Sequence, residues 1–215
     1  MKKIILSICL TLSIFNFENS FSQTPIWKEI TPAGWSGTFQ FVEYFTGNGL
    51  VAIADNGYFY HSLDTGLTWT AYPKPVASVD WMTLYSDHKR AYICGGSHLY
   101  KTIDAAKSWQ EIKWTGMPSN IDLGRIYIKT EDTLLMSASD GVNGMKIYLS
   151  PDKGQTWTKV AENLYNNFVY GISGFYFVNP AHGYALAAGY YAETIDGGHS
   201  WTRNDIGVNT FFMVF

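Results

Sequence analysis

Two aspartates, Asp80 and Asp122, and three tryptophans, Trp35, Trp81 and Trp114, are the side chains best suited to ligand chemistry. Two carboxylates facing one cleft can protonate a glycosidic oxygen and activate a water or attack the sugar. Indoles left open to solvent can stack on a sugar ring or pack a peptide. Asp140 and Tyr165 lie in comparable stretches of the chain. Each has a plainer role to set against this: loop aspartates cap turns, and tryptophans fill the space between sheets. Metal chemistry has little support. His61, His88, His98, His182 and His199 are scattered without ligand spacing, and no Asp-x-Asp-x-Asp-Gly loop is present. No phosphate-cradling glycine loop precedes a helix, and no Gly-x-Ser-x-Gly motif occurs. No metal and no cofactor is therefore expected.

What positions these residues is a repeat. Four segments share the pattern [ST]-x-D-x-[GA]-x-[ST]-W: Ser62 to Trp69, Thr102 to Trp109, Ser150 to Trp157 and Thr194 to Trp201. Successive tryptophans are 40, 48 and 44 residues apart. That period is the length of one four-stranded propeller blade. A short alternating strand precedes each box, with Tyr60, Tyr100 and Tyr148 at one place in it and Ala192 breaking the series. Turn residues such as Asp55-Asn56-Gly57 and Asp140-Gly141 separate the strands,. The expected fold is all-β: antiparallel four-stranded blades over about 36–72, 77–114, 120–161 and 167–204. Each box then sits between the third and fourth strands.

The box residues themselves are expected to be structural. A tight turn leaves backbone N–H groups without ladder partners, and Asp64, Asp104, Asp152 and Asp196 can accept from several of them. Ser62, Thr102, Ser150 and Thr194 can close the remaining bonds. Gly66, Gly154 and Gly198 suit positive φ. Ala106 stands where the second box lacks its glycine, so positive φ there implies strain,. Trp69, Trp109, Trp157 and Trp201 start the fourth strands and cover the turns. Loops entering the innermost strands share the opposite face with the turns between second and third strands. That face carries Trp35, Asp80, Trp81, Trp114 and Asp122.

The ends of the chain carry their own signals. Lys2 and Lys3, an apolar run from Ile4 to Phe17 and the polar exit Asn19 to Gln23 read as a signal peptide over 1–22,. The 23–215 propeller that remains has 13 basic and 17 acidic residues. Such a balance argues against nucleic acid. Membrane insertion after signal cleavage is not expected. Localisation is expected to be extracytoplasmic: secreted, periplasmic or on the cell surface. Cys94 lies in an apolar run and reads as a buried thiol,. Trp27 lies 42 residues before Trp69 with no box ahead of it. Residues 26–30 thus read as an orphan closing strand, and 210–215 as the first strand of a fifth blade. Closure removes sheet edges, so the sequence reads as part of a longer six- or seven-bladed ring. The alternative is that two chains share blades by strand exchange.

These boxes resemble the Asp-box, or bacterial neuraminidase repeat, family over residues 26–215. The stretch from Val178 to Ala185, followed by Thr194 to Trp201, is similar to the photosystem II assembly factor group and its bacterial exported relatives. The resemblance implies a propeller but no single activity, because the repeat also occurs in sialidases, xyloglucan-cleaving glycosidases and sortilin-type receptors. A sialidase needs three arginines converging on a carboxylate. Here Arg90, Arg125 and Arg203 are the only arginines, and they do not occupy equivalent or inward positions in the repeat,. The reading favoured is a non-catalytic binding or scaffolding propeller engaging a protein or glycan through its loop face. A glycoside hydrolase acting on polysaccharide is the alternative, and an assembly factor for a membrane complex is a third.

Overall fold

A computed structural model describes residues 38–45, 49–141, 144–164, 171–187 and 190–205. Trp35, Tyr165, the signal segment and the segments 26–30 and 210–215 lie outside them. Short runs of β-branched and aromatic residues broken by glycine turns give sixteen strands and no helix among the described residues,. Blade 1 holds β1 (Phe39–Phe45), β2 (Gly49–Ala54), β3 (Tyr58–Ser62) and β4 (Thr70–Pro73). Blade 2 holds β5 (Trp81–Leu84), β6 (Ala91–Gly95), β7 (His98–Thr102) and β8 (Gln110–Glu111). Blade 3 holds β9 (Asp122–Ile128), β10 (Leu134–Ser139), β11 (Met145–Ser150) and β12 (Thr158–Ala161). Blade 4 holds β13 (Gly174–Phe177), β14 (Gly183–Ala187), β15 (Tyr190–Thr194) and β16 (Thr202–Asp205).

Within each blade the strands pair antiparallel in chain order, which makes the architecture a β-propeller of four-stranded blades. The second strands of blades 1 to 3 are buried over most of their length, as Val51 to Ala54, Ala91 to Gly95 and Leu134 to Ala138 show, while β14 alternates buried and half-buried residues. Such burial on both faces fits a sheet sandwiched between neighbours. Three apolar layers join the blades. Phe45, Ile53 and Phe59 meet Met82, Ile93 and Ala106 between blades 1 and 2. Cys94 and Leu99 meet Leu123, Leu134 and Met136 between blades 2 and 3. Leu135 and Ile147 meet Ala185 and Ala192 between blades 3 and 4. The first strands lie nearest one another across blades: β9 approaches β5 and β6 on one side and β13 on the other. They form the axial edge of the assembly.

His61 is buried, 6% exposed, near Ala106 of the second box, with its Nε2 unpartnered among the described residues. Burial pushes its imidazole down to about 4, with Lys107 adding to the effect and Ala106 and Asp104 opposing it. The unfolded imidazole titrates near 6.5,, so folding disfavours its protonation. Stability is therefore full above about pH 6.5 and falls as the pH drops toward 4, by about 3 kcal/mol in all. Urea titrations between pH 8 and 4 should show that slope, and His61→Gln should flatten it.

Candidate functional site at the axial rim

The boxes define one face. In blade 1 the Ser62 hydroxyl donates to Asp64 Oδ1 at 2.8 Å and accepts the Gly66 N–H at 2.7 Å. Asp64 accepts the Thr68 N–H at 2.8 Å and the Thr68 hydroxyl at 2.7 Å, one on each carboxylate oxygen. The same set recurs around Asp104, Asp152 and Asp196. Hydrogen bonds from the Thr68 backbone and hydroxyl, then from Ser62, hold Asp64 at about 2. The Ser200 hydroxyl leads a similar set that holds Asp196 well below the usual carboxylate range. Each carboxylate is thus consumed by its own turn.

Two consecutive residues of every box are left-handed. Gly66, Gly154 and Gly198 have φ of 93°, 89° and 96°, and the preceding Thr65, Lys153 and Gly197 have 58°, 61° and 76°. The first of these two positions has no glycine signal in three of the four copies, so the sequence pattern conceals it. In blades 2 to 4 its N–H donates to a turn earlier in the same blade: Ala105 to Lys89 O, Lys153 to Asp132 O and Gly197 to Ala181 O. The second box departs from the rest. Ala105 and Ala106 have φ of 59° and 62°. In the other boxes the indole Nε1 donates to the glycine carbonyl at 2.9–3.0 Å. Trp109 Nε1 is buried with no partner among the described residues. A left-handed residue with a Cβ costs about 1–2 kcal/mol, and a lost hydrogen bond adds about 1. Ala106→Gly should therefore stabilise the fold by about 1–2 kcal/mol, after about 0.8 kcal/mol is subtracted for the buried methyl. Chemical denaturation reads the gain, and new exchange protection at the Trp109 indole N–H reads its cause.

The opposite rim is built where β5 and β9 begin. The Asp80 carboxylate accepts the Gly96 N–H at 2.8 Å in the β6–β7 turn. The Gly96 carbonyl in turn accepts the Leu123 N–H at 2.8 Å. This brings Asp80 and Asp122 to one neighbourhood, yet Asp80 is engaged as a turn cap. The Asp122 side chain is exposed and has no hydrogen-bond or ion-pair partner among the described residues. Trp81, half-buried, opens β5 beside them and meets the Phe41 ring of β1 edge-on at 5.7 Å. Trp114 lies elsewhere. It packs against the layer between blades 2 and 3, and its neighbour Thr115 bonds to Gln155 and Trp157 in the third box segment. Asp140 pairs with the buried Lys146 at 2.6 Å.

The rim also holds a residue that the sequence reading discounts. Arg125 is on β9, an innermost strand, with its guanidinium 3.5 Å from the centre of the Trp81 ring. That corrects the expectation that no arginine is inward. A β-bulge explains its aim. Leu123 pairs with Ala138 and Ile126 with Met136, so Gly124 and Arg125 together oppose Ser137. Leu123 and Ile126 consequently face the same core layer, which an unbroken strand forbids. Ser137 Oγ, fully buried, accepts the Arg125 N–H at 2.8 Å. The Cys94 thiol, pushed up to about 12 by burial, donates to Gly124 O at 2.9 Å. A Cβ at Gly124 would sit 2.7 Å from Ser137 Oγ. Desolvation disfavours the charge on Arg125. Among the described residues no group of three His, Cys, Asp or Glu side chains can hold a metal, and no helix is long and apolar enough to cross a membrane.

No family model matches this chain, and no curated protein matches it. Solved structures do. YCF48 from Cyanidioschyzon merolae superposes with a TM-score of 0.61 at 14% identity, over 84% of this chain and 64% of that one. A GH74 xyloglucanase from Xanthomonas campestris gives 0.54 at 13%, over 73% and 28%. An extracellular domain described as part of a hybrid two component system from B. thetaiotaomicron gives 0.58 at 10%, over 76% and 23%. The chain spans less than two thirds of the length of each of these proteins. At such identities the likeness shows the fold.

Proposed function

We propose that this chain is an exported, non-catalytic propeller that binds a protein or a glycan through its axial rim. One observation carries the reading: the two faces differ in what remains free. The box carboxylates are used up by their turns. The rim keeps an exposed Asp122 carboxylate, without a partner among the described residues, at the start of β9 and a half-buried Trp81 at the start of β5. Export rests on the basic and apolar character of residues 1–22,, and an extracellular domain among the structural neighbours is in keeping with it.

The glycosidase reading draws on the likeness to a xyloglucanase. Against it stands Asp80, whose carboxylate already serves Gly96. The assembly reading draws on the likeness to YCF48 and predicts co-purification with an envelope complex. A panel of immobilised polysaccharides and peptides distinguishes the three. The expected result is binding without hydrolysis, weakened at least tenfold in Trp81→Ala while its melting curve stays cooperative. Hydrolysis that disappears in Asp80→Asn would replace this reading with the glycosidase one.

A further inference from the structure

Resting on the rim-binding reading above, we propose that Arg125 is the anion-recognition residue of a subsite for an acidic sugar, a glycan unit bearing a carboxylate. Three independent features point there. First, Arg125 alone among the three arginines lacks a carboxylate. Arg90 pairs with Asp87 and Glu131, and Arg203 pairs with Asp205. Arg125 makes no ion pair, and its guanidinium no hydrogen bond, among the described residues; its only side-chain contact of this kind is the Trp81 ring. A half-buried cation without a partner is costly, and an anion supplied by a ligand removes that cost.

Second, the guanidinium is aimed. The bulge at Gly124 and Arg125 is held by a buried serine and a buried thiol, and the glycine has no room for a side chain. Bulges re-aim side chains, and they concentrate beside sites. The guanidinium lies over the Trp81 ring, 3.5 Å from its centre, and its N–H groups make no hydrogen bond among the described residues; a carboxylate, planar and with two oxygens, is the acceptor that matches such a fork.

Third, the surroundings select among carboxylates. Asp80 and Asp122 sit at the same rim, and the chain carries a net charge of −3. A polyacidic peptide meets repulsion there. A sugar acid brings one carboxylate for Arg125 and otherwise neutral hydroxyls, so it escapes that repulsion. The half-buried Phe41 and Trp81 rings, in edge-on contact at 5.7 Å, leave the rim some apolar surface against which sugar C–H groups can pack,.

The test uses the whole chain and three probes: trigalacturonic acid, its methyl ester and hexaglutamate, titrated by calorimetry at low and moderate salt. The acid should bind at least tenfold tighter than the ester. Arg125→Gln should abolish that preference, and Ser137→Ala, which keeps the charge but releases the bulge, should reduce it. If Arg125→Gln fails to fold, Arg125→Lys serves, because it retains charge without the flat fork and should lose most of the preference. Equal binding of acid and ester, or a preference that survives Arg125→Gln, overturns the subsite and leaves rim binding intact. Tighter binding of hexaglutamate also overturns it, in favour of an acidic peptide. No binding of any probe, together with a blank polysaccharide and peptide panel, overturns both readings.

Discussion

Gly116→Ala is expected to destabilise the fold by about 3–5 kcal/mol, the sum of a left-handed backbone penalty and a steric overlap that nothing flexible can relieve. Gly116 has φ +90°, and a Cβ there would lie 1.9 Å from the carbonyl oxygen of Trp157. It follows Thr115, which donates to Gln155 O and accepts from Trp157 N–H, both at 3.0 Å. The connection between blades 2 and 3 is thus clasped to the third box by backbone bonds that cannot move aside. Two controls separate the contributions. Gly57 has φ +89° with nothing within 4 Å of a Cβ, so Gly57→Ala should cost only about 1 kcal/mol. Gly95 lacks the positive φ but would place a Cβ 1.9 Å from Ser78 O, so Gly95→Ala should cost about 2–3 kcal/mol. Urea denaturation ranks the three, and a Gly116→Ala cost no larger than that of Gly57→Ala would show the clasp to be loose.

Asp140→Ala should cost a similar amount, about 3–5 kcal/mol, for an electrostatic reason. Lys146 is 3% exposed, and its ammonium donates to Asp140 at 2.6 Å and to Gly144 O at 3.5 Å. Removing the carboxylate leaves a buried charge with one long hydrogen bond. Removing both charges is a different matter, because a hydrophobe of similar length can fill the space. Asp140→Ala combined with Lys146→Met should therefore recover most of the loss. A double variant as unstable as Asp140→Ala alone would mean that Asp140 acts through its backbone turn rather than through its charge.

The sequence made the blade frame readable because a period of 40 to 48 residues survives local variation. Asp64 and Gly66 announce a turn by residue type alone. Thr65, Ala105 and Lys153 do not, since nothing in a threonine, alanine or lysine signals left-handed backbone. The places of Trp81 and Asp122 at the openings of β5 and β9 follow from the blade frame, whereas a part in binding does not. Trp114 was less so, because the outer strand carries the chain sideways to the neighbouring box before it reaches β9. Arg125 was hidden for a sharper reason. Strand alternation assigns it to the face opposite Ile126, and a bulge breaks that alternation without leaving a motif.

The bond from the left-handed box residue to an earlier turn has a wider consequence. In blades 2, 3 and 4 donor and acceptor belong to the same blade: Ala105 with Lys89, Lys153 with Asp132, Gly197 with Ala181. Each unit brings along the partners that its own turns require. A gene segment encoding one such unit can be duplicated or deleted in frame without orphaning a box turn, and what has to be matched afresh is the apolar faces and the few backbone bonds between blades, such as Gly96 with Leu123 and Thr115 with the third box,. Growth and shrinkage by whole modules is thereby the cheapest route of change open to this architecture.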